Sequence, residues 1–90
     1  MKDAHDILSL IAHGNCQKAI EHIEDMVTRQ PNNDGLYYML GKVYHKLGNW
    51  QRAIECYQEA LARNPQSPAR ETLQQATDIM NFFNKDMYNQ

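Results

Sequence analysis

Apolar residues recur every three or four positions in five separate stretches of the chain, and polar residues fill the positions between them. This spacing is typical of a helix with one buried side. In the second stretch Ala19, Ile20, Ile23, Met26 and Val27 form a single apolar stripe. The pattern predicts helices over about residues 3–13, 16–29, 35–47, 50–63 and 68–84, and no stretch shows the strict alternation of a strand.

Glycine and proline mark the ends of the predicted helices. Gly14 and Gly48 are each followed by asparagine, and each is predicted to stop a helix, since glycine readily adopts the left-handed backbone of a helix end. Pro31 and Pro65 break the chain after the second and fourth helices. Ser67 is predicted to cap the fifth helix.

These signals return at a fixed interval of 34 residues, the distance from Gly14 to Gly48. Residues 14–21 read Gly-Asn-Cys-Gln-Lys-Ala-Ile-Glu, and residues 48–55 read Gly-Asn-Trp-Gln-Arg-Ala-Ile-Glu, so six of the eight positions are identical. A fixed period near this length indicates stacked copies of one supersecondary unit. Such stacks favour a binding function over a catalytic one.

The second copy resembles the tetratricopeptide repeat (TPR). The residues that carry the resemblance are Tyr37, Leu40, Gly41 and Tyr44, followed by Gly48, Ala53, Tyr57, Ala60 and Pro65. The resemblance implies an all-α fold, a short right-handed α-solenoid of two helix-turn-helix units and a capping helix. We therefore expect a single domain, with repeat 1 over about 1–33, repeat 2 over 34–67, and the capping helix and tail over 68–90.

The first copy departs from the pattern in its first helix. Asp6 and Ile7 stand where the second copy has Leu40 and Gly41. Because Gly41 is expected where paired helices cross closely, the bulky Ile7 predicts either a first helix that stands farther from its partner or a shifted register. Outer repeats are commonly atypical, since one of their sides has no neighbour.

Composition narrows the classes of partner. The 90 residues carry a net charge of −2, whereas nucleic-acid-binding domains usually carry a basic excess. The same balance disfavours a polybasic membrane patch, and no apolar run is long enough to span a bilayer. The first residues lack the apolar core of a signal peptide. We therefore expect a cytoplasmic protein with neither nucleic acid nor membrane as a partner.

The cysteines and histidines are spaced too irregularly along the sequence to predict a metal-binding or catalytic site. Cys16 and Cys56 are the only cysteines, and we expect both to be reduced and packed. His13, Cys16 and His22 lie near one another in sequence, but a zinc site needs three or four converging ligands. No spacing brings a base to either cysteine. We therefore expect no metal, no cofactor and no enzymatic activity.

The resemblance also implies a concave face, lined by the first helices of the repeats, that binds peptides of other proteins. The residues expected on it are Leu8, Ile11, Tyr38, Lys42, His45 and Lys46. Some TPR proteins hold a terminal carboxylate with a lysine, asparagine and arginine set, but here Ala4, Leu8 and Lys42 stand at three of its positions. That set is therefore absent. The apolar members of this set, Leu8, Ile11 and Tyr38, are expected to form an exposed patch, and such a patch usually marks an interface. The alternative is that they pack on the tail or on an irregular first helix.

Two functions remain after this reasoning. The first is a non-catalytic module that binds a peptide segment of a partner protein in the concave groove. The second is self-association, because two repeats are fewer than the usual three and leave apolar surface uncovered at each end. Phe82, Phe83, Met87 and Tyr88 would then complete a neighbour's groove or cover their own.

Overall fold

The protein is a stack of five α-helices in a computed structural model that describes the backbone of residues 4–83. Within that range there is no strand. Each helix packs on the next one in the chain, and the resulting body measures 50 × 29 × 18 Å. The helices are α1 (Ala4–Ala12), α2 (Cys16–Arg29), α3 (Asp34–Lys46), α4 (Trp50–Arg63) and α5 (Ala69–Phe83). The predicted all-α fold and short α-solenoid are confirmed.

The polar residues before α3 and α5 cap these helices. The side chain of Asn33 accepts a hydrogen bond from the amide of Gly35 at 3.0 Å. Before α5, the hydroxyl of Ser67 accepts one from the amide of Ala69 at 3.1 Å. These bonds satisfy amides that have no partner within the helix. The predicted cap at Ser67 is therefore confirmed.

The turns inside the two hairpins have the same backbone structure. Gly14 and Gly48 have φ angles of 80° and 79°, in the left-handed region that favours glycine. Each amide hydrogen bond of the first turn recurs 34 residues later with nearly the same length. The pairs are Gly14 to Ile11 (3.1 Å) with Gly48 to His45 (3.0 Å), and Asn15 to Leu10 (2.8 Å) with Asn49 to Tyr44 (2.9 Å).

Two clusters of buried side chains hold the stack together. The first cluster joins α1, α2, α3 and α4 through aliphatic side chains and both cysteines, and the second joins α4 to α5. The second cluster consists of four alanines around Tyr57, whose side chain is fully buried. Alanine at these positions allows close approach of the helices, and Tyr57 fills the space that remains.

Repeat 1 places the bulky Ile7 in a core cluster where the residue equivalent to Tyr57 is smaller, an arrangement that the sequence did not predict. In repeat 2, a Cβ atom on Gly41 would lie 2.4 Å from Cε1 of Tyr57, so the ring occupies the space of a side chain at position 41. The counterpart of Tyr57 in repeat 1 is Ile23, which is smaller, and Ile7 and Ile23 are both fully buried. Because the turn hydrogen bonds of the two hairpins match, a shifted register is not the explanation.

Candidate functional site

A groove between α1 and α3 brings together four of the six residues predicted to bind a partner. Ile11 lies on α1, and Lys42, His45 and Lys46 lie on the last two turns of α3. We refer to these four residues as the α1–α3 groove, and its volume is about 290 Å³. Lys42 and Lys46 are one helical turn apart and therefore project from the same side of α3.

The two walls of the groove come from equivalent positions of the two repeats. Ile11 and His45 are 34 residues apart, and the backbone carbonyl of each accepts a hydrogen bond from the amide of the glycine three residues later. Repeat 1 thus contributes an aliphatic side chain where repeat 2 contributes an imidazole beside two ammonium groups. The groove is apolar on the side of α1 and cationic on the side of α3.

His45 is held in place by two aromatic residues of α4. Its Nδ1 lies 3.4 Å from the hydroxyl of Tyr57, and its ring centroid lies 4.5 Å from that of Trp50. Burial, together with the positive charge of Lys42, lowers the pKa of His45 below its ordinary value of 6.5. At neutral pH the groove therefore presents two cations, Lys42 and Lys46, beside a neutral imidazole.

Tyr38 extends this surface towards α5. Its ring centroid is 5.9 Å from that of Tyr57, and its hydroxyl lies 3.5 Å from Oγ1 of Thr72. The ammonium of Lys42 lies 5.7 Å from the centroid of the Tyr38 ring, within the range of a cation–π contact. Tyr38 therefore connects the α1–α3 groove to the last helix of the stack.

For two sets of the predicted residues, the structure does not describe the side chains. Leu8, the sixth candidate, lies on α1, but its side chain is not among the described ones. The same holds for the side chains of Phe82 and Phe83 and for the whole of Met87 and Tyr88, on which the self-association hypothesis depended. Their roles stay predictions.

A second pocket, of about 410 Å³, is lined by residues of α3 and α4 and was not predicted from the sequence. We call it the α4 pocket, and it is lined by Tyr37, Leu40, Arg52, Glu55, Cys56, Gln58 and Glu59. Arg52 and Glu55 in its wall pair with each other at 2.7 Å. The sequence pattern barely indicates this pocket, because its lining combines residues at packing positions with residues of an exposed charged face.

The thiol of Cys56 lies against this pocket but has little nucleophilic character. The residue is 4% exposed, and burial raises the pKa of its thiol to about 11. A thiol is nucleophilic as the thiolate, and this one stays protonated at neutral pH. Cys16 is also buried, and both cysteines are free, as expected.

Among the residues that the structure describes, there is neither a metal-binding cluster nor a helix suited to span a membrane. There, no three side chains of histidine, cysteine, aspartate or glutamate gather closely enough to bind a metal ion. Likewise, no helix within this part of the chain combines the length and the apolar character needed to cross a bilayer.

Comparison with known proteins agrees with the repeated hairpins. The sequence profile of the tetratricopeptide repeat family matches residues 36–67, which include most of α3, all of α4 and the cap of α5. A stretch of 54 residues, 60% of this chain, is 41% identical to the TPR repeat-containing protein MJ0940 of Methanocaldococcus jannaschii. The matched stretch spans 17% of the length of that relative.

A solved structure shares nearly the whole fold. The solution NMR structure of protein BF1650 of Bacteroides fragilis aligns with 99% of this chain and with 91% of its own chain, with a TM-score of 0.88 and 41% identity. The fold and the repeated turns define a helical-repeat protein. The chain belongs to the tetratricopeptide repeat family, whose members generally act as non-catalytic protein–protein interaction modules.

Proposed function

We propose that this protein binds a segment of another protein in the α1–α3 groove, with Tyr38 extending the contact surface, and that it performs no covalent chemistry. The observation that carries this proposal is the convergence of Ile11, Lys42, His45 and Lys46, from two helices, on one open surface. Concave surfaces that combine apolar area with a few convergent polar groups are the usual form of a binding site.

The rigid backing of the groove supports the same function. His45 and Tyr38 rest on Tyr57, which is fully buried, and His45 also contacts Trp50. A surface whose side chains are already fixed loses less conformational entropy when a partner binds. This arrangement suits a recognition surface that is formed before its ligand arrives.

The chemistry of Tyr57, behind the groove, and of Cys56, at the α4 pocket, offers no support for catalysis. The hydroxyl that contacts His45 belongs to Tyr57, and burial raises its pKa to about 12. An activated nucleophile needs a lowered pKa or an effective base, whereas Tyr57 and Cys56 both have raised pKa values. Both groups hold their protons at neutral pH and are suited to packing.

The proposal is tested by selecting binders from a displayed library of peptides and measuring their affinity for two double variants. Tyr38→Ala/Lys42→Ala changes the groove surface and should weaken the selected peptides at least about tenfold, since interface aromatic residues often dominate affinity. Lys18→Ala/Leu47→Ala is the matched control, because it also removes one lysine and one apolar side chain, both exposed. Circular dichroism checks that both variants keep their helicity.

Equal weakening by the two variants, or none by the first, would count against the groove. The self-association hypothesis is tested separately by the molar mass across a wide range of concentrations. A mass that stays at one chain, 10.5 kDa, removes that hypothesis. The cytoplasmic location and the lack of nucleic-acid binding stay predictions.

A further inference from the structure

Acidic and basic side chains are mixed on α2 and α4, whereas the two charged residues with long side chains that line the groove are both lysines. The chain as a whole is slightly acidic, with a net charge of −2. The exposed carboxylates of α2 and α4 are Glu21, Glu24, Asp25, Glu55 and Glu59. On α3, by contrast, the exposed charged residues next to the groove are Lys42 and Lys46. The groove is therefore a local positive site on an acidic protein.

The arginines of α2 and α4 are already matched with carboxylates of their own helices. Arg29 pairs with Asp25, Arg52 pairs with Glu55 and Arg63 pairs with Glu59. Among the residues that the structure describes, neither Lys42 nor Lys46 has a carboxylate within ion-pair distance. The helix dipole accounts for a cation such as Lys46 in the last turn of α3, but Lys42 lies one turn earlier.

The size and polarity of the groove restrict what it can hold. A volume of about 290 Å³ is just below the range of roughly 300–1,000 Å³ for pockets that enclose a small molecule. Such a groove accommodates a few side chains of a segment lying across it. Two ammonium groups on one wall favour carboxylate oxygens, and the aliphatic side chain of Ile11 on the other wall favours an apolar neighbour.

We propose that the partner segment places an aspartate or glutamate beside an apolar residue, so that its carboxylate contacts Lys42 and Lys46 while the apolar side chain packs on Ile11. This inference rests on the proposed function and names the chemistry of the segment that the groove selects. The neutral state of His45 leaves two cations in the groove at neutral pH. That number suits one or two carboxylates and is too small for the backbone of a nucleic acid.

The preference for an acidic residue is tested by measuring how tightly peptides selected from the library bind single variants of the protein. Each variant changes the net charge by the same amount. Lys42→Glu and Lys46→Glu should each weaken the selected peptides at least about fivefold at low salt, with a smaller effect at high salt. Lys18→Glu on α2 is the control, because it reverses one exposed lysine outside the groove and should leave the affinity unchanged within twofold. Thermal unfolding shows whether each variant is folded.

A reversed pair makes the test independent of a general loss of affinity. A peptide in which the acidic residue is replaced by lysine should bind Lys46→Glu at least about fivefold more tightly than it binds the unchanged chain. A variant that had merely lost its fold would not gain affinity for any peptide. Recovered binding would support a direct contact between Lys46 and the acidic side chain.

The outcomes separate this inference from the function on which it rests. Binders that are weakened by Ile11→Ala but carry no acidic residue, and that tolerate Lys42→Glu and Lys46→Glu, would overturn the charge preference and leave the groove as the binding site. Binders that tolerate Ile11→Ala as well, or a preference for single-stranded nucleic acid over peptides, would overturn both proposals. Acidic–apolar binders that fail with the two glutamate variants support both.

Discussion

The two hairpins share the backbone of their turns and differ in how their cores are filled. The turns at Gly14 and Gly48 have the same φ and the same hydrogen bonds. Within this common frame, repeat 1 buries Ile7 and Ile23 in the same core cluster, whereas in repeat 2 the ring of Tyr57 occupies the space beside Gly41. The comparison teaches that the short turn residues determine the backbone, and that the volume of the core can be divided in more than one way within it.

The same comparison explains the composition of the groove. Ile11 of repeat 1 and His45 of repeat 2 occupy equivalent positions and line the same groove from α1 and α3. Neither residue is needed to form its turn, because the turn bonds involve only their backbone carbonyls. The side chains are therefore free to differ: Ile11 makes the α1 wall apolar, while His45 adds a neutral imidazole to the α3 wall, whose positive charge comes from Lys42 and Lys46.

The largest effect is expected when the packing of repeat 1 is moved into repeat 2 one residue at a time. Gly41→Ile places side-chain atoms where the ring of Tyr57 lies and should cost about 3 kcal/mol of unfolding free energy. Tyr57→Ile alone leaves a cavity and should cost about 2–4 kcal/mol. The double variant restores the pair found in repeat 1 and should be more stable than Gly41→Ile alone.

Chemical denaturation of the four proteins gives the coupling energy between positions 41 and 57, which should be favourable by about 1–3 kcal/mol. The matched cycle in repeat 1 uses Ile7→Gly, Ile23→Tyr and their combination, and it should also show a favourable coupling. Strictly additive costs in repeat 2 would mean that the two residues do not exchange volume.

The second effect is a loss of stability at alkaline pH that comes from repeat 2. The pKa values of Cys56 and Tyr57 are raised to about 11 and about 12, from ordinary values of 9.0 and 10.0. Between about pH 9 and pH 11 the unfolded chain loses protons that the folded protein keeps, so the unfolding free energy falls as the pH rises. For the Cys56 thiol the loss approaches about 2–3 kcal/mol, at roughly 1.4 kcal/mol for each pKa unit.

Urea denaturation at pH 8 and at pH 10.5 measures this loss, and Cys56→Ala is the informative variant. Its counterpart position in repeat 1 is occupied by His22, and that of Tyr57 by Ile23, so repeat 1 contributes no equivalent alkaline loss at these positions. Cys56→Ala should reduce the loss and leave the part that comes from Tyr57. An undiminished loss in that variant would show that the thiol does not contribute.

The fold could be predicted from the sequence almost completely, because its signals are local and repeated. The glycine turns, the apolar stripes and the cap at Ser67 depend on residues within a few positions of one another. In repeat 2 the ring of Tyr57 occupies the space beside Gly41. Without knowing this, one could not predict that the equivalent positions of repeat 1, Ile23 and Ile7, would divide the core volume differently. Four groove residues were predicted through the family resemblance, and the α4 pocket was missed because it depends on how α3 and α4 pack together.

A smaller effect separates the two helix caps that follow the glycine turns. The side chain of Asn49 accepts a hydrogen bond from the amide of Arg52 at 3.2 Å, whereas Asn15 makes no side-chain cap bond to α2. Asn49→Ala should therefore cost about 1 kcal/mol, and Asn15→Ala should cost clearly less. Thermal unfolding of the two variants compares them directly, and equal costs would mean that the two caps do not differ in solution.

The most direct test of the binding surface is a chemical-shift map of the ¹⁵N-labelled chain with a peptide selected against it. The α1–α3 groove and the larger α4 pocket lie on different residues of the stack, so the map distinguishes them. We expect the largest shifts at Ile11, Lys42, His45 and Lys46. Shifts centred on Tyr37, Arg52 and Glu55, with the groove unchanged, would contradict the assignment of the binding site.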